Sequence, residues 1–345
     1  MGKLERVRAM AASGTVTLAI QRFDRTAALH TGKVAIPNVT ALYAPAGTAV
    51  AGLMAGVFDA AELPLAHYAF LRDRGEPFTA IPVFPDRLFL HQYVYTLAGR
   101  GISSPNELRG RRVAVPQYFM TSSIWHRGLL KGEYGIRPEE IEWHTTAAER
   151  DPRMALPRGV RVLMNPGPHW GADPLLQGAA DCLMHEGTPV VPSGQKERLV
   201  RLYPDVHERQ KEFYRKTGSH IIVHVIAVRG DVMAGRPALG EELCTAFDRA
   251  KQRAYDLLQN ERMTSLPLMR SYLDETVATF GEDPWSYGFQ QNRPELDCFL
   301  GYAWEQGLTQ KRLSPEDLFD GPYRDFPFEA KMNPYGIVPG SVTQF

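Results

Sequence analysis

The chain has 345 residues, 44% hydrophobic and 23% charged, enough to bury the cores of two lobes and too polar for a membrane-embedded protein. Lys plus Arg and Asp plus Glu are equal at 39 each, and no basic run interleaves with aromatics, which excludes the footprint of a nucleic-acid binder and leaves a small molecule as the expected partner. Cys182, Cys244 and Cys298 stand far apart without a CxxC pair, so reduced thiols and a cytoplasmic setting are expected rather than a disulfide framework or a zinc cage.

The opening MGKLERVRAMAASGTVTLAI lacks an apolar run of the length a secretory signal needs, so export is not expected. After a loose first dozen residues, GTVTLAI (14–20) reads as a strand, FDRTAALHTG as a turn into a short helix, and NVTALYAP (38–45) as a second strand. GTAVAGLMAGVFDAAEL follows as a helix opened by Thr48, and the passage Phe58, Asp59, Ala60 leads into another strand and helix.

FPDRLFLHQYVYTL (84–97) reads as a buried strand on which Arg87, Phe89, His91, Tyr93 and Tyr95 share one face. A guanidinium and an imidazole on a strand this apolar need a partner, water or a ligand. SSPNELRG is a capped helical turn before the strand RRVAVP (111–116), which opens a second βα series: helix TSSIWHRGLLKGEYG, strand IEWHTT, and DPLLQGAADCLMH as a helix running into a strand. SHIIVHVIAVRG is a long strand, and from Arg236 the pattern turns helical, ending in a wrapping tail over the last two dozen residues.

Two βα series and a helical last third predict an α/β fold of two lobes, the second inserted into the first. Lobe I takes residues 14–97 and 224–345, lobe II residues 98–223, and the chain crosses near 96–100 and 218–226. Ligands in such folds lie in the cleft, against strand carboxyl ends and helix N-termini. On this plan Arg87 and His91 meet His220 and His224 on the cleft floor.

QRFDRTAAL, GVFDAAELPLAHY, IPVFPDRLFLHQYVY, LRGRRVAVPQYFMTSSIWHRG, GSHIIVHVIAVR and WSYGFQQNRPELDCFLGYAWEQGL, collinear over roughly residues 15–315, resemble the 4,5-dihydroxyphthalate decarboxylase family. The resemblance implies a two-lobed type 2 periplasmic-binding-protein-like fold and a cytoplasmic aromatic-acid decarboxylase. The chain departs from the pattern at Pro64 and His67, where small hydroxyl residues are usual, at Gln117, where an acidic residue is usual, and at MHEGTP (184–189), which replaces a stretch with tyrosine and arginine.

Loss of CO2 from an aromatic ring needs a proton at the carbon that loses the carboxylate and a ring hydroxyl to supply electrons. An imidazole holds and releases a proton near neutral pH, so His91 and His224, which match histidines of the family blocks, are the expected catalytic residues. Arg25 and Arg87 are expected carboxylate anchors, competing with ion pairs to Asp24 for the first and to Asp86 or Glu62 for the second. Thr121, Ser122 and Ser123 at a helix start favour an anion, as Gly47 and Thr48 do more weakly. Tyr118, Trp125, Trp285 and Tyr287 have the rings to sandwich an aromatic substrate, and Glu62, His67 and His220 complete the expected binding set.

Glu62, His67, His91 and His224 also carry divalent-metal ligand atoms without matching a compact metal motif, so the expectation is either no cofactor or one divalent metal ion. The expected partner is a small aromatic carboxylate, with no nucleic acid and no membrane, and with the oligomeric state open between monomer and homo-oligomer. The alternative function is a solute-binding protein of the same fold holding a small carboxylate or heterocycle for a transporter.

Overall fold

The computed structural model describes residues 14–168 and 171–333; the expected loose first dozen residues and the last part of the expected tail, 334–345, lie outside the described residues. The chain begins with β1 (Val16–Ile20), α1 (Asp24–His30), β2 (Val39–Tyr43), α2 (Ala46–Met54), β3 (Ala60–Pro64), α3 (Leu65–Asp73) and β4 (Phe78–Ile81). A second series follows: β5 (Val94–Leu97), β6 (Arg112–Val115), α4 (Thr121–Tyr134), β7 (Glu142–Thr145), β8 (Arg161–Met164), α5 (Asp173–Leu176), β9 (Cys182–Met184), β10 (Leu199–Arg201) and α6 (Val206–Thr217). The chain returns through β11 (His224–Arg229) and continues in α7 (Gly230–Gly235), α8 (Leu239–Leu258), α9 (Met269–Phe280) and α10 (Phe289–Glu305).

The strands form two sheets, ordered β2-β1-β3-β11-β4 and β10-β5-β9-β6-β7-β8. In the first, β1, β2 and β3 are parallel and β11 runs antiparallel between β3 and β4. β1 and β3 are buried along their whole length, because helices cover both faces of the sheet; this is why they read as apolar runs rather than alternations. The second sheet is parallel except for β5, which pairs antiparallel with β9 and β10. The placement of β11 makes the second series an insertion within the first, the two-lobed α/β plan expected.

Residues 84–97 are not one strand. Arg87 makes an isolated antiparallel bridge to Ile222, Leu90–Tyr93 form a 3₁₀ turn, and only Val94–Leu97 continue as β5, in the second sheet. The turn breaks the shared face of Arg87 and His91 and lets the chain leave one sheet for the other. The first passage thus falls at residues 82–93, ahead of the 96–100 expected, and the second spans 202–223, with α6 inside it. The helix expected to open at Thr48 begins at Ala46, after Pro45. β8 and β10 are short strands that the pattern did not announce, since Leu163 and Met164 on β8 are about half exposed and bury no face.

The passage is pinned by Arg87, which is 2% exposed and donates to His220 O at 2.8 Å, to Ser286 O at 2.7 Å and to Asn292 Oδ1, with Glu295 Oε2 at 3.5 Å. On the inserted lobe, α4 packs against α10: the Trp125 ring lies 5.6 Å from those of Phe299 and Tyr302, and a Cβ at Gly128 would fall 2.3 Å from the Tyr302 ring. Only glycine allows this approach. No helix among the described residues is long and apolar enough to cross a membrane.

Candidate active site

Across β3 and β11 the register pairs Pro64 with His224 and Glu62 with Ile226, so Glu62 and His224 are diagonal neighbours on one face of the sheet. Glu62 Oε1 lies 2.6 Å from His224 Nδ1. Gln21, just past β1, donates its backbone N–H to Glu62 Oε2 at 2.9 Å and its amide to Oε1 at 2.8 Å. The Asp86 carboxylate stands 3.5 Å from His224 Nδ1, and its backbone carbonyl accepts the N–H groups of Val223 and His224 at 2.9 and 3.3 Å. The passage between the lobes therefore delivers Asp86 to the histidine.

Glu62 is fully buried and His224 6% exposed. Burial alone would raise the Glu62 pKa, but the hydrogen bond and charge of His224 and the bonds from Gln21 outweigh it, and the carboxyl sits below its usual range. Burial works in the same way to discharge His224, yet Glu62, Asp86 and Glu186 together hold its pKa above the usual value. Asp86 and Glu186 are pushed up by burial, only partly offset by His224. Nδ1 of His224 is thus held by carboxylates that favour its charged form, while Nε2 forms no hydrogen bond among the described residues.

A second group lies alongside on the inserted lobe. Ser122, in the first turn of α4, donates to Glu186 Oε2 at 3.0 Å, so the helix start predicted to take an anion already holds a carboxylate of the protein. Arg150 donates through Nε to Gln117 Oε1 at 3.2 Å and interacts with Glu186. Pro64, His67, Gln117, Met120, Arg150 and Met154 line a narrow cavity here. His67 is 3% exposed, and burial pulls its pKa down to about 4, so it is neutral at physiological pH.

The other predicted residues have different neighbours. His91 packs against Tyr203 and Phe213, with Glu133 Oε1 3.8 Å from Nε2, and makes no contact with the Glu62–His224 pair among those described. Arg25 pairs with Asp24 at 3.0 Å, donates through Nε to Pro85 O at 2.6 Å and stacks 3.6 Å over Trp285; Arg87 is spent on the bonds of the passage. His220 stacks on Phe89, and Trp285 meets it edge-on while donating to Phe84 O at 3.0 Å. Tyr118 is buried beneath the Arg127 guanidinium at 3.7 Å, and Trp125 donates to Ile222 O at 3.2 Å from within the core. Tyr287 is buried against Phe328 and Lys251. Thr121 Oγ1 accepts the Ala66 N–H at 3.1 Å, tying the start of α3 to that of α4, and Ser123 is buried.

For a divalent ion, Glu62, Asp86 and His224 present ligand atoms within 4.8 Å of one another; of the four ligands predicted, His67 and His91 are not in this group. The sequence reading also missed Gln21, Glu186 and Arg150 as members of the site. Gln21 and Arg150 lie where the chain has no periodicity, and Asp86 was weighed only as a partner for Arg87.

The protein named 4,5-dihydroxyphthalate decarboxylase from Comamonas testosteroni is 30% identical over 315 residues, spanning 88% of this chain and 96% of that protein. The chain belongs to the 4,5-dihydroxyphthalate decarboxylase family. A second relative of the same name, from Pseudomonas putida, is 27% identical over 209 residues, covering 58% of this chain and 81% of its own. No protein-family model matches the chain. Among solved structures, the periplasmic aliphatic sulphonate binding protein SsuA from Escherichia coli superposes with a TM-score of 0.55 at 14% identity, covering 95% of this chain and 97% of that one, which establishes the fold alone. Pro64, His67 and Gln117, three positions expected to depart from the family pattern, line the narrow cavity described above.

Proposed function

We propose that the chain is a non-oxidative decarboxylase of a hydroxylated aromatic carboxylic acid of the dihydroxyphthalate kind, with His224 as the proton donor. The observation that carries this reading is the buried Glu62–His224 pair, 2.6 Å apart, with the second ring nitrogen unengaged. The 4,5-dihydroxyphthalate decarboxylases that the chain resembles supply the substrate class.

In this reaction Nε2–H of the imidazolium passes its proton to the ring carbon that bears the leaving carboxylate. The ring hydroxyl oxygen supplies the electron density that accepts it. The carbon–carboxylate bond then breaks, CO2 departs, and its bonding electrons restore the aromatic ring with hydrogen in place of the carboxylate. His224 is left neutral, with Nδ1–H still on Glu62, and recovers a proton from solvent. Glu62 orients the ring and keeps it charged before the transfer, the role of a carboxylate behind an imidazole, and closure of the lobes removes water from the leaving carboxylate. The role is assigned to His224 rather than His91, whose ring packs against Tyr203 and Phe213 with Glu133 Oε1 3.8 Å from Nε2, apart from the Glu62–His224 pair.

The three cysteines are unpaired, which fits a reducing, cytoplasmic setting. The test is CO2 release from 4,5-dihydroxyphthalate by the purified chain, with and without a chelator. His224→Gln is expected to lower kcat by about a hundredfold to ten-thousandfold, and the chelator to leave the parent rate unchanged. If the parent binds hydroxylated aromatic acids but never releases CO2, the solute-binding reading replaces this one.

A further inference from the structure

The narrow cavity beside the pair contains polar groups with nothing to bond. Both ring nitrogens of His67 are sealed from solvent and make no hydrogen bond, and Nη1 of Arg150 is in the same state. Buried donors without partners are uncommon in folded proteins, and each points to a group that completes it. The protein's nearby carboxylates are hydrogen-bonded elsewhere and act on these two residues through charge alone: Glu149, which also lines the cavity, accepts the N–H groups of Tyr118 and Phe119 at 2.7 and 3.2 Å, Glu186 accepts the Ser122 hydroxyl at 3.0 Å, and Asp151 accepts the Arg153 guanidinium at 2.7 Å. Arg150 keeps only its bond to Gln117.

We infer that this cavity seats the carboxylate that the reaction leaves in place, held by Arg150 and His67, and that these two residues select dihydroxylated rings bearing that carboxylate over the bare catechol. The inference rests on the decarboxylase reading above. Pro64 lines the cavity and pairs directly with His224 across the strands, so a carboxylate seated there lies one strand from the proposed proton donor. Neutral His67 offers one N–H and Arg150 its unpaired Nη1, a charge-assisted pair of donors suited to the two oxygens of a carboxylate.

The test is calorimetric binding of 4,5-dihydroxyphthalate, of its product 3,4-dihydroxybenzoate, which keeps that carboxylate, and of catechol, which lacks it, to the full chain, with CO2 release followed in parallel. Arg150→Gln is expected to weaken the diacid and its product alike by roughly tenfold to a hundredfold and to leave catechol within about twofold. His67→Phe, which fills the same space, is expected to act in the same direction to a smaller extent and covers the case in which the first variant does not fold. Equal weakening of the acids and of catechol, no weakening of either acid, or a parent that does not bind the diacid overturns the assignment. A diacid bound through Arg150 but never decarboxylated sinks the reaction and leaves the subsite standing. Decarboxylation by Arg150→Gln at the parent KM does the reverse.

Discussion

Glu62 Oε1 and His224 Nδ1 lie 2.6 Å apart although 162 positions separate them in the chain. Their charges hold each other: the carboxyl stays ionised and the imidazole stays protonated above its usual pKa of 6.5. Glu62→Gln keeps the shape and removes the charge, so the His224 pKa falls. The acid form is then lost at a lower pH, and the alkaline limb of the kcat profile moves down the pH axis, with kcat at pH 7.5 reduced about tenfold to a hundredfold. An alkaline limb that does not move separates the two residues functionally.

Arg87 and Arg25 looked alike as sequence candidates but differ in what their loss does. Arg87→Met removes the cation facing the buried Glu295, leaves the His220 carbonyl unpaired and leaves Ser286 O only its bond from Asn292, with an expected cost of about 3–5 kcal/mol by urea denaturation. Arg25→Ala forfeits a partly exposed ion pair and its stacking on Trp285, about 1 kcal/mol, and leaves the binding of an aromatic acid unchanged. A large loss of acid affinity in Arg25→Ala returns that residue to the binding set.

Stability depends on pH through the buried neutral imidazoles. His67 stays uncharged in the folded chain down to about pH 4, whereas an unfolded imidazole takes its proton near 6.5. The unfolded state therefore gains the proton first, and stability present above 6.5 is lost as the pH falls toward 4, by roughly 3 kcal/mol for this group. His126, held down to about 3 by burial, acts in the same sense. Urea midpoints measured between pH 7 and 5 are expected to fall more steeply in the parent than in His67→Phe.

The contact of Gly128 with Tyr302 tests the packing of the inserted lobe against α10. Gly128→Ala places a methyl 2.3 Å from the ring and is expected to destabilise by about 1–3 kcal/mol. Tyr302→Leu in the same chain relieves most of that cost, and a double-mutant cycle reads the coupling. Additive losses remove the contact from the account.

The α/β plan was legible because β1, β3 and α8 announce themselves by apolar runs or helical spacing. The return of the chain into the first sheet was legible in SHIIVHVIAVRG, whose second half is β11. The site was legible in half. Glu62 and His224 stand on regular strands, where a period of two fixes the face. Asp86, Arg150 and Glu186 stand on connections, where nothing in the local pattern says which way a side chain turns. The 3₁₀ turn at Leu90–Tyr93 shows the limit: a strand pattern continues through it in sequence, while in space it carries His91 away from His224's neighbours.

The position of β11 also bears on the order in which the molecule is made. The strand lies between β3 and β4, yet it leaves the ribosome only after the whole of the second sheet, β5 to β10, has emerged. The inserted lobe, contiguous in sequence, can collapse while synthesis continues, whereas the first sheet waits with β3 and β4 unjoined and their edges open. Closing so long a loop makes this the slow, non-local event of folding. Because β11 itself carries His224, a nascent chain stopped short of residue 224 lacks the proposed proton donor as well as its central strand, so the donor arrives together with the strand that joins the first sheet.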